Sequence, residues 1–589
     1  MNTGTESGQR RRRRVRLSPV RSVPVEFAGE RAGEGPLTLG QLNVYTWVTP
    51  DDISAILRVE LPVPEVVSVD DVAEATGALI ARHESLRTTY VPGEQPRQRV
   101  AAAGVQLLEV CSLGEGQWGL RDRPAVGEAL IRWLRESPDP GPWPVRVAVA
   151  IAPSAGDRVI ACAAAFSHLA ADHDAIEILK GEFAGLLSDP ARRHAAQPGH
   201  QPLDQAELEA TPTERHRADA ALDYQREQSR RMPRCLYALP GARASRQSLV
   251  VELSSMAAAM AVRRVAARTR TSRSSIVLTA ICAVLARRAG YPELVFHVSS
   301  SNRSERHLVN YVGSLAQGTI ATVEITGRSF DELVGHTWVR VVEASRYARY
   351  DTLKRDAMGE QIGHERGMRF SYGPLFNSLV PGSWSGPAAG AGFGPEDIDV
   401  ALARTELRWR PVSFSGTPIQ FILTQIDGWL RMDAWTGDTG LLPRAELESV
   451  LLALERLLVA AARGDVPADR MPGLIGLEPL AGTPGLILVD HCWADVADVQ
   501  RLVDDAVAPA AARVFASDGG SPLVAYLAAT DAVRTPEQAH ARCLAVLEHH
   551  PTAITPQHYV ICPAAPPDPS DPAAWHAPLA AGTGRALTR

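Results

Sequence analysis

Lysine is nearly missing from this chain: Lys180 and Lys354 are the two present, so arginine supplies almost all of the positive charge. With alanine, glycine and proline abundant, that bias reads as the codon usage of a GC-rich genome rather than as selection for guanidinium chemistry. Cysteine is scarce too. The seven at 111, 162, 235, 282, 492, 543 and 562 are odd in number and contain no Cys-x-x-Cys spacing, which argues against a disulfide framework and a zinc site. No metal is expected, and reduced thiols in the cytoplasm are the simplest reading. No apolar run approaches the ~20 residues needed to cross a bilayer, so no membrane role is expected. Dinucleotide and phosphate-binding glycine loops are also lacking.

What remains is ordinary globular composition, 45% hydrophobic and 22% charged over 589 residues, enough for roughly three or four domains of about 150 residues each. The one strongly biased stretch is N-terminal. Arg10 to Arg14, Arg16 and Arg21 face one acid, Glu6, in the first 21 residues. The following Leu17-Ser18-Pro19-Val20 is no apolar core for an export signal. Residues 1–35 are therefore expected to be a disordered Arg-rich tail.

Pro36 to Tyr45 opens the folded part, with Thr38 as a helix cap. A helix is expected over Val69–Arg82, turning at Arg82-His83-Glu84-Ser85-Leu86-Arg87 into a strand; His83, among charged residues, reads as structural or surface. Val145–Ile151 and Val159–Phe166 form a hairpin around Pro153-Ser154-Ala155-Gly156-Asp157. Residues 189–245 look like a connection with one helix near Ala220–Arg231. A second half follows: strand Ser248–Leu253, helices Ser255–Arg268 and Ser274–Ala289, the latter ended by Gly290, and strand Glu293–Ser299. A strand pair is expected around Gly313–Ile325, then a loop-rich stretch with Phe370-Ser371-Tyr372-Gly373-Pro374-Leu375-Phe376. Strands Ile419–Thr424 and Leu430–Trp435 and helix Glu446–Arg463 complete it.

The chemistry-bearing stretch is Phe166-Ser167-His168-Leu169-Ala170-Ala171-Asp172-His173. It leaves an apolar strand, and from Asp172 apolar residues recur at helical spacing through Leu187. His168 thus sits on a strand-to-helix loop held by rigid elements, where an imidazole can face a cavity while the carboxylate four residues on pins the loop. The pattern alone is weak. With 16 histidines, about one His-x-x-x-Asp arises by chance, and three occur: His168/Asp172, His200/Asp204 and His491/Asp495. Of these, the first ends an apolar strand.

The motifs in order resemble the condensation domains of nonribosomal peptide synthetases. Pro36–Trp47 is similar to their opening Leu-Thr/Ser-x-x-Gln motif, and Arg82–Tyr90 to Arg-His-Glu-x-Leu-Arg-Thr. Ser167–His173 takes the place of His-His-x-x-x-Asp-Gly, Ser299–Arg303 of the segment ending in Gly-Arg, Val312–Ile320 of Gly-x-Phe-Val-Asn-Thr, and Gly373–Phe376 of Pro-Leu-Phe. The match covers roughly residues 36–470. It implies an α/β (α+β) fold of two chloramphenicol-acetyltransferase-like lobes in a V, residues 36–215 and 216–475. By the resemblance, His168 orients or deprotonates a nucleophile attacking a carrier-protein thioester, while Asp172 pairs structurally with Arg303. No cofactor is bound; phosphopantetheine-tethered substrate comes from an acyl or peptidyl carrier protein in trans, to meet an amine or hydroxyl acceptor. Neither membrane nor nucleic acid has a role in this reading.

Three departures stand near the implied channel. Ser167 replaces the first histidine, Gln317 the usual Asn, and His173 the glycine after the aspartate, a residue that permits close backbone approach and an unusual turn. Residues 483–589 are expected to be a separate small α+β domain resembling the mobile C-terminal subdomain of adenylate-forming enzymes. It has strands at Leu486–Val489, Arg513–Ala516 and Leu523–Ala528 around Asp518-Gly519-Gly520, and helices at Asp495–Ala506 and Pro536–His549. No lysine follows Lys354, so that subdomain's catalytic lysine is absent and docking or stabilisation is implied. With no Gly-Gly-x-Ser carrier motif, a free-standing condensation acyltransferase of secondary metabolism is expected. The alternatives are a catalytically lapsed relative that recruits carrier proteins or tailoring partners, and an epimerase.

Overall fold

The computed structural model describes residues 15–48, 55–115, 118–137, 141–152, 158–194, 199–236, 239, 242, 244, 245, 247–370, 373–384, 393–412, 418–516 and 522–585. The arginine run Arg10–Arg14, the turns Pro153–Asp157 and Asp518–Gly520, and Ser371-Tyr372 lie outside the described residues. The chain divides into two compact units, one of residues 1–216 with 301–316, the other of 217–300 with 317–589. The return of 301–316 to the first unit had no signal in the composition.

In the first unit a five-stranded sheet runs in the order Leu17–Ala28, Ala103–Leu113, Val145–Ile151, Val159–Ser167, Ile56–Leu61. The interior strand Val159–Ser167, paired with Val145–Ile151 on one side and Ile56–Leu61 on the other, is buried from Val159 to Phe166, as a continuous apolar run should be when both faces are covered. One face meets helices Val69–Arg82 and His173–Ser188 through Val72, Leu79, Ile176 and Phe183; the other meets Val126, Leu130 and Leu134 of helix Arg123–Glu136. Helix Val69–Arg82 starts at a capping box, Ser68 and Asp71 each accepting from the other's backbone N–H at 3.1 Å, which satisfies donors the first turn leaves open.

The N-terminal strand corrects the tail expectation from Leu17 onward. Val25 and Phe27 alternate inward and are buried, and the strand pairs antiparallel with Ala103–Leu113 over its full length with one irregularity between Pro19 and Arg21. Arginine and proline are tolerated because this is an edge strand with its outer face in solvent. Nor is His83 a surface residue: it is fully buried, with Nε2 2.9 Å from a Glu182 carboxylate oxygen.

The second unit holds a seven-stranded sheet in the order Gln317–Glu324, Glu293–Ser300, Leu375–Ser378, Ile419–Gln425, Leu430–Thr436, Leu249–Ser255, Glu406–Pro411. Helices Met256–Thr269, Arg273–Ala289, Phe330–Ser345 and Arg444–Arg463 pack its core. Gly290 closes helix Arg273–Ala289 at φ 78°, a left-handed position that suits glycine. Among the described residues of the connection 189–245 are two α-helices, Pro202–Glu209 and Pro212–Arg231.

Residues 486–582 add a four-stranded sheet, Ala512–Ala516, Leu523–Ala528, His558–Cys562 and Ala580–Gly582, and a two-stranded one, Leu486–Val489 with Cys492–Asp495. This C-terminal module is fused to the second unit. Met368 is buried in the module's core and Phe370 packs against it. The Arg234 guanidinium, 8% exposed, donates to the carbonyls of His550 and Leu547, both at 2.6 Å. Arg366 bonds Asp490 through side chain and backbone at 2.9 and 2.7 Å.

Candidate active site

His168 directly follows the interior strand Val159–Ser167. Its backbone N–H donates to Ala55 O at 2.8 Å and that of Ser167 to Pro144 O at 2.8 Å. The chain then turns, Ala170 and Ala171 donating to Ser167 O at 2.9 and 3.1 Å and Leu169 N–H to Ser167 Oγ at 3.3 Å. Ser167 therefore tightens the loop with its own hydroxyl. His168 itself is half-buried, and its ring stands perpendicular to the Trp47 indole, centroids 5.4 Å apart at 84°.

Asp172 points inward and caps helix His173–Ser188, accepting from Ala175 N–H at 2.9 Å. At 1% exposure it also accepts two bonds from Arg303, at 2.7 and 2.8 Å, and one each from the N–H groups of Leu315 and Ala316 at 2.9 and 3.0 Å. The Arg303 side chain is 7% exposed. It donates further to the carbonyls of Ser301, Tyr311 and Gly313 at 3.1–3.3 Å. A buried pair of this kind persists when its remaining donors and acceptors are also bonded. Burial pushes the Asp172 carboxyl up, but the Arg303 charge and bonds with the amides of Ala175 and Leu315 outweigh it, and the net shift is downward. For Arg303, burial acts downward, but the charge and hydrogen bonds of Asp172, with Asp174 and Tyr311 adding to them, outweigh it, and the net shift is upward.

The segment 301–316 is shaped for this grip. Asn302 takes a left-handed backbone, φ 56°, and its side-chain amide donates to Leu315 O at 2.9 Å; Asn tolerates that region better than most residues. Gly313 to Ala316, expected as strand, is a loop whose last two N–H groups face Asp172, and the strand begins at Gln317. Helix Leu39–Trp47 closes on the same loop. It is capped by a Thr38/Gln41 box. A Cβ on Gly40 would lie 2.1 Å from Ser314 O, so only glycine allows this approach.

His173 is the first residue of its helix and is half-buried. Its backbone is helical rather than left-handed, so the histidine that stands where glycine was expected imposes no backbone strain here. Gln317 belongs to the second unit, where it is buried and its side-chain amide donates to Tyr350 O at 3.0 Å. The first unit thus brings together Ser167, His168, Asp172, His173 and Arg303, with Trp47, Leu315 and Ala316 joining them. The other two His-x-x-x-Asp pairs are helix starts. Asp204 completes a capping box and bonds half-exposed Arg31 at 2.6 Å, and Asp495 caps helix Val496–Val507. Among the described residues, neither carboxylate has a buried arginine.

No family model matches the chain. The curated phosphinothricin tripeptide synthetase PhsC of Streptomyces viridochromogenes is 28% identical over 351 residues, 55% of this chain but 30% of that synthetase. The condensation domain responsible for chain release from the enacyloxin polyketide synthase superposes with a TM-score of 0.56 at 20% identity, over 75% of this chain and 85% of that one. The X-domain from teicoplanin biosynthesis superposes at 0.54 and 17% identity, over 76% and 98% of the two chains, and its complex with OxyB at 0.50. The chain therefore has the fold of the condensation domains of nonribosomal peptide and polyketide synthases.

Proposed function

We propose that the chain is a condensation-type acyltransferase, moving an acyl or aminoacyl group from a carrier-protein phosphopantetheine thioester to an amine or hydroxyl acceptor. The observation that carries this reading is the unequal treatment of two side chains four residues apart. Asp172 is sealed by five hydrogen bonds, two from the Arg303 side chain and three from backbone N–H groups, whereas His168 leaves the same loop half-buried. A fixed carboxylate and a partly exposed imidazole suit a division into anchor and proton acceptor. An ordinary imidazole, with a pKa of about 6.5, is mostly neutral at pH 7 and has a nitrogen able to accept a hydrogen bond.

In this reading His168 accepts the proton of the acceptor's N–H or O–H as its lone pair forms the new C–N or C–O bond. The thioester C–S bond breaks, and the proton is delivered to the departing thiolate, leaving the imidazole neutral. Phosphopantetheine enters as substrate on its carrier. The test is transfer from an acylated carrier by wild-type and His168→Ala protein; a loss of about 10²-fold or more is expected of a general base, and equal rates would refute the role.

A second reading, recruitment without chemistry, draws on two observations: His173 beside the loop, and the likeness to an X-domain solved in complex with OxyB. It requires carrier or partner binding with no transfer by the wild-type chain.

A further inference from the structure

The imidazole torsion χ2 is broad and roughly two-fold, so backbone bonds that hold the His168 loop do not by themselves hold its ring. A base works only when one nitrogen is kept in hydrogen-bond reach of the proton it takes. Something rigid must stand beside the ring. Trp47 does so, perpendicular and 5.4 Å away between centroids, a spacing and angle that aromatic pairs favour.

Trp47 is also the last residue of a helix with little freedom to shift. Helix Leu39–Trp47 is fixed at its start by the Thr38/Gln41 box and by the Gln41 amide bonded to Gln98 Oε1 at 3.0 Å. Its flank is fixed by the Gly40 approach to Ser314 and by Asn43 donating to Ala316 O at 3.4 Å. Ser314 to Ala316 is the loop that grips Asp172. The helix end, the gripping loop and the His168 loop are therefore linked within one unit. Trp47 is 38% exposed, more than a residue kept only for core packing needs.

We infer that Trp47 is a positioning residue that fixes the orientation of the His168 imidazole, an inference that rests on the proposed use of His168 as proton acceptor. It gives the opening motif a purpose: Thr38, Gly40 and Gln41 hold the helix that carries the indole.

The test combines kinetics with a direct view of the ring. Trp47→Leu is expected to lower kcat about 2- to 10-fold, the range of a lost perpendicular aromatic pair, with KM for the carrier unchanged. Trp47→Phe should recover most of the loss. In a His168→Ala background Trp47→Leu should change the residual rate less than about two-fold, because the two residues act as one unit. In histidine-labelled protein the His168 imidazole NMR signal, identified by its absence in His168→Ala, should move in Trp47→Leu through loss of the indole ring current; Trp47→Met serves if the leucine variant does not fold. An unmoved signal, an unchanged kcat, a change confined to KM, or an equal loss in the His168→Ala background would overturn the inference. Wild-type turnover by His168→Ala defeats the proton-acceptor reading itself, whereas normal dependence on His168 with an unaffected Trp47→Leu defeats the positioning role alone. Should the wild-type chain transfer nothing, the imidazole signal still decides whether Trp47 holds the ring.

Discussion

Replacing Arg303 by alanine removes two hydrogen bonds, at 2.7 and 2.8 Å, from a carboxylate that is 1% exposed. The N–H groups of Ala175, Leu315 and Ala316 still reach Asp172, so the cost should fall near the low end of the ~3–5 kcal/mol for breaking one side of a buried pair, about 3 kcal/mol. For a unit of this size that corresponds to roughly 6–12 °C in Tm. The loss should depend on pH. In the wild type the folded Asp172 carboxyl lies below its ordinary value, so its stabilisation is complete above an unfolded pKa of about 3.9 and fades only as pH falls through the lower folded value. Without Arg303, burial is opposed by the backbone N–H bonds alone, and the folded carboxyl is expected to rise above its unfolded value. The variant's penalty then grows as pH rises through that raised value and is relieved by acid. Calorimetry from about pH 8 down to about pH 4.5 should show the Tm gap narrowing. An unchanged Tm, or a gap that does not vary with pH, would refute the role given to the pair.

His173→Gly should cost roughly 0.5–1 kcal/mol, the usual penalty of glycine in a helix, and leave transfer within a few-fold, because the backbone there is already helical; a large gain would mean that the imidazole obstructs the acceptor. Ending the chain near residue 480 exposes Met368 and Phe370 and strands Arg234 and Arg366, so insolubility or a lower melting point is expected, and a truncated chain with native Tm would contradict the fused arrangement. Amino-acid-dependent exchange of pyrophosphate into ATP should be absent, since adenylation needs a cation at the acyl phosphate and no lysine follows Lys354; measurable exchange would overturn this.

Local signals were legible where one chain segment sufficed. Thr38 marks the start of helix Leu39–Trp47, and Gly290 the end of Arg273–Ala289, because caps are written in adjacent residues. The strand Leu17–Ala28 was hidden by Pro19, Pro24 and Arg21, residues that depress strand propensity except at an edge. Gly313–Ala316 reads as strand by its neighbours but loops because its amides are needed by Asp172, 143 residues earlier for Leu315. Arg303 and Asp172 lie 131 positions apart; resemblance paired them, whereas spacing could not. Trp47 was passed over for the same reason, since nothing in a helix-ending tryptophan announces a perpendicular contact with residue 168.

The decisive measurement is single-turnover transfer from an acylated carrier protein to a small amine or alcohol, run with wild-type and His168→Ala protein beside a carrier-binding assay. Product dependent on the wild-type chain, reduced about 10²-fold or more in His168→Ala while both proteins bind the carrier equally, is the expected result. Carrier binding with no product from the wild-type chain across a range of acceptors, or equal product from both proteins, would contradict the assignment of His168 to the chemistry.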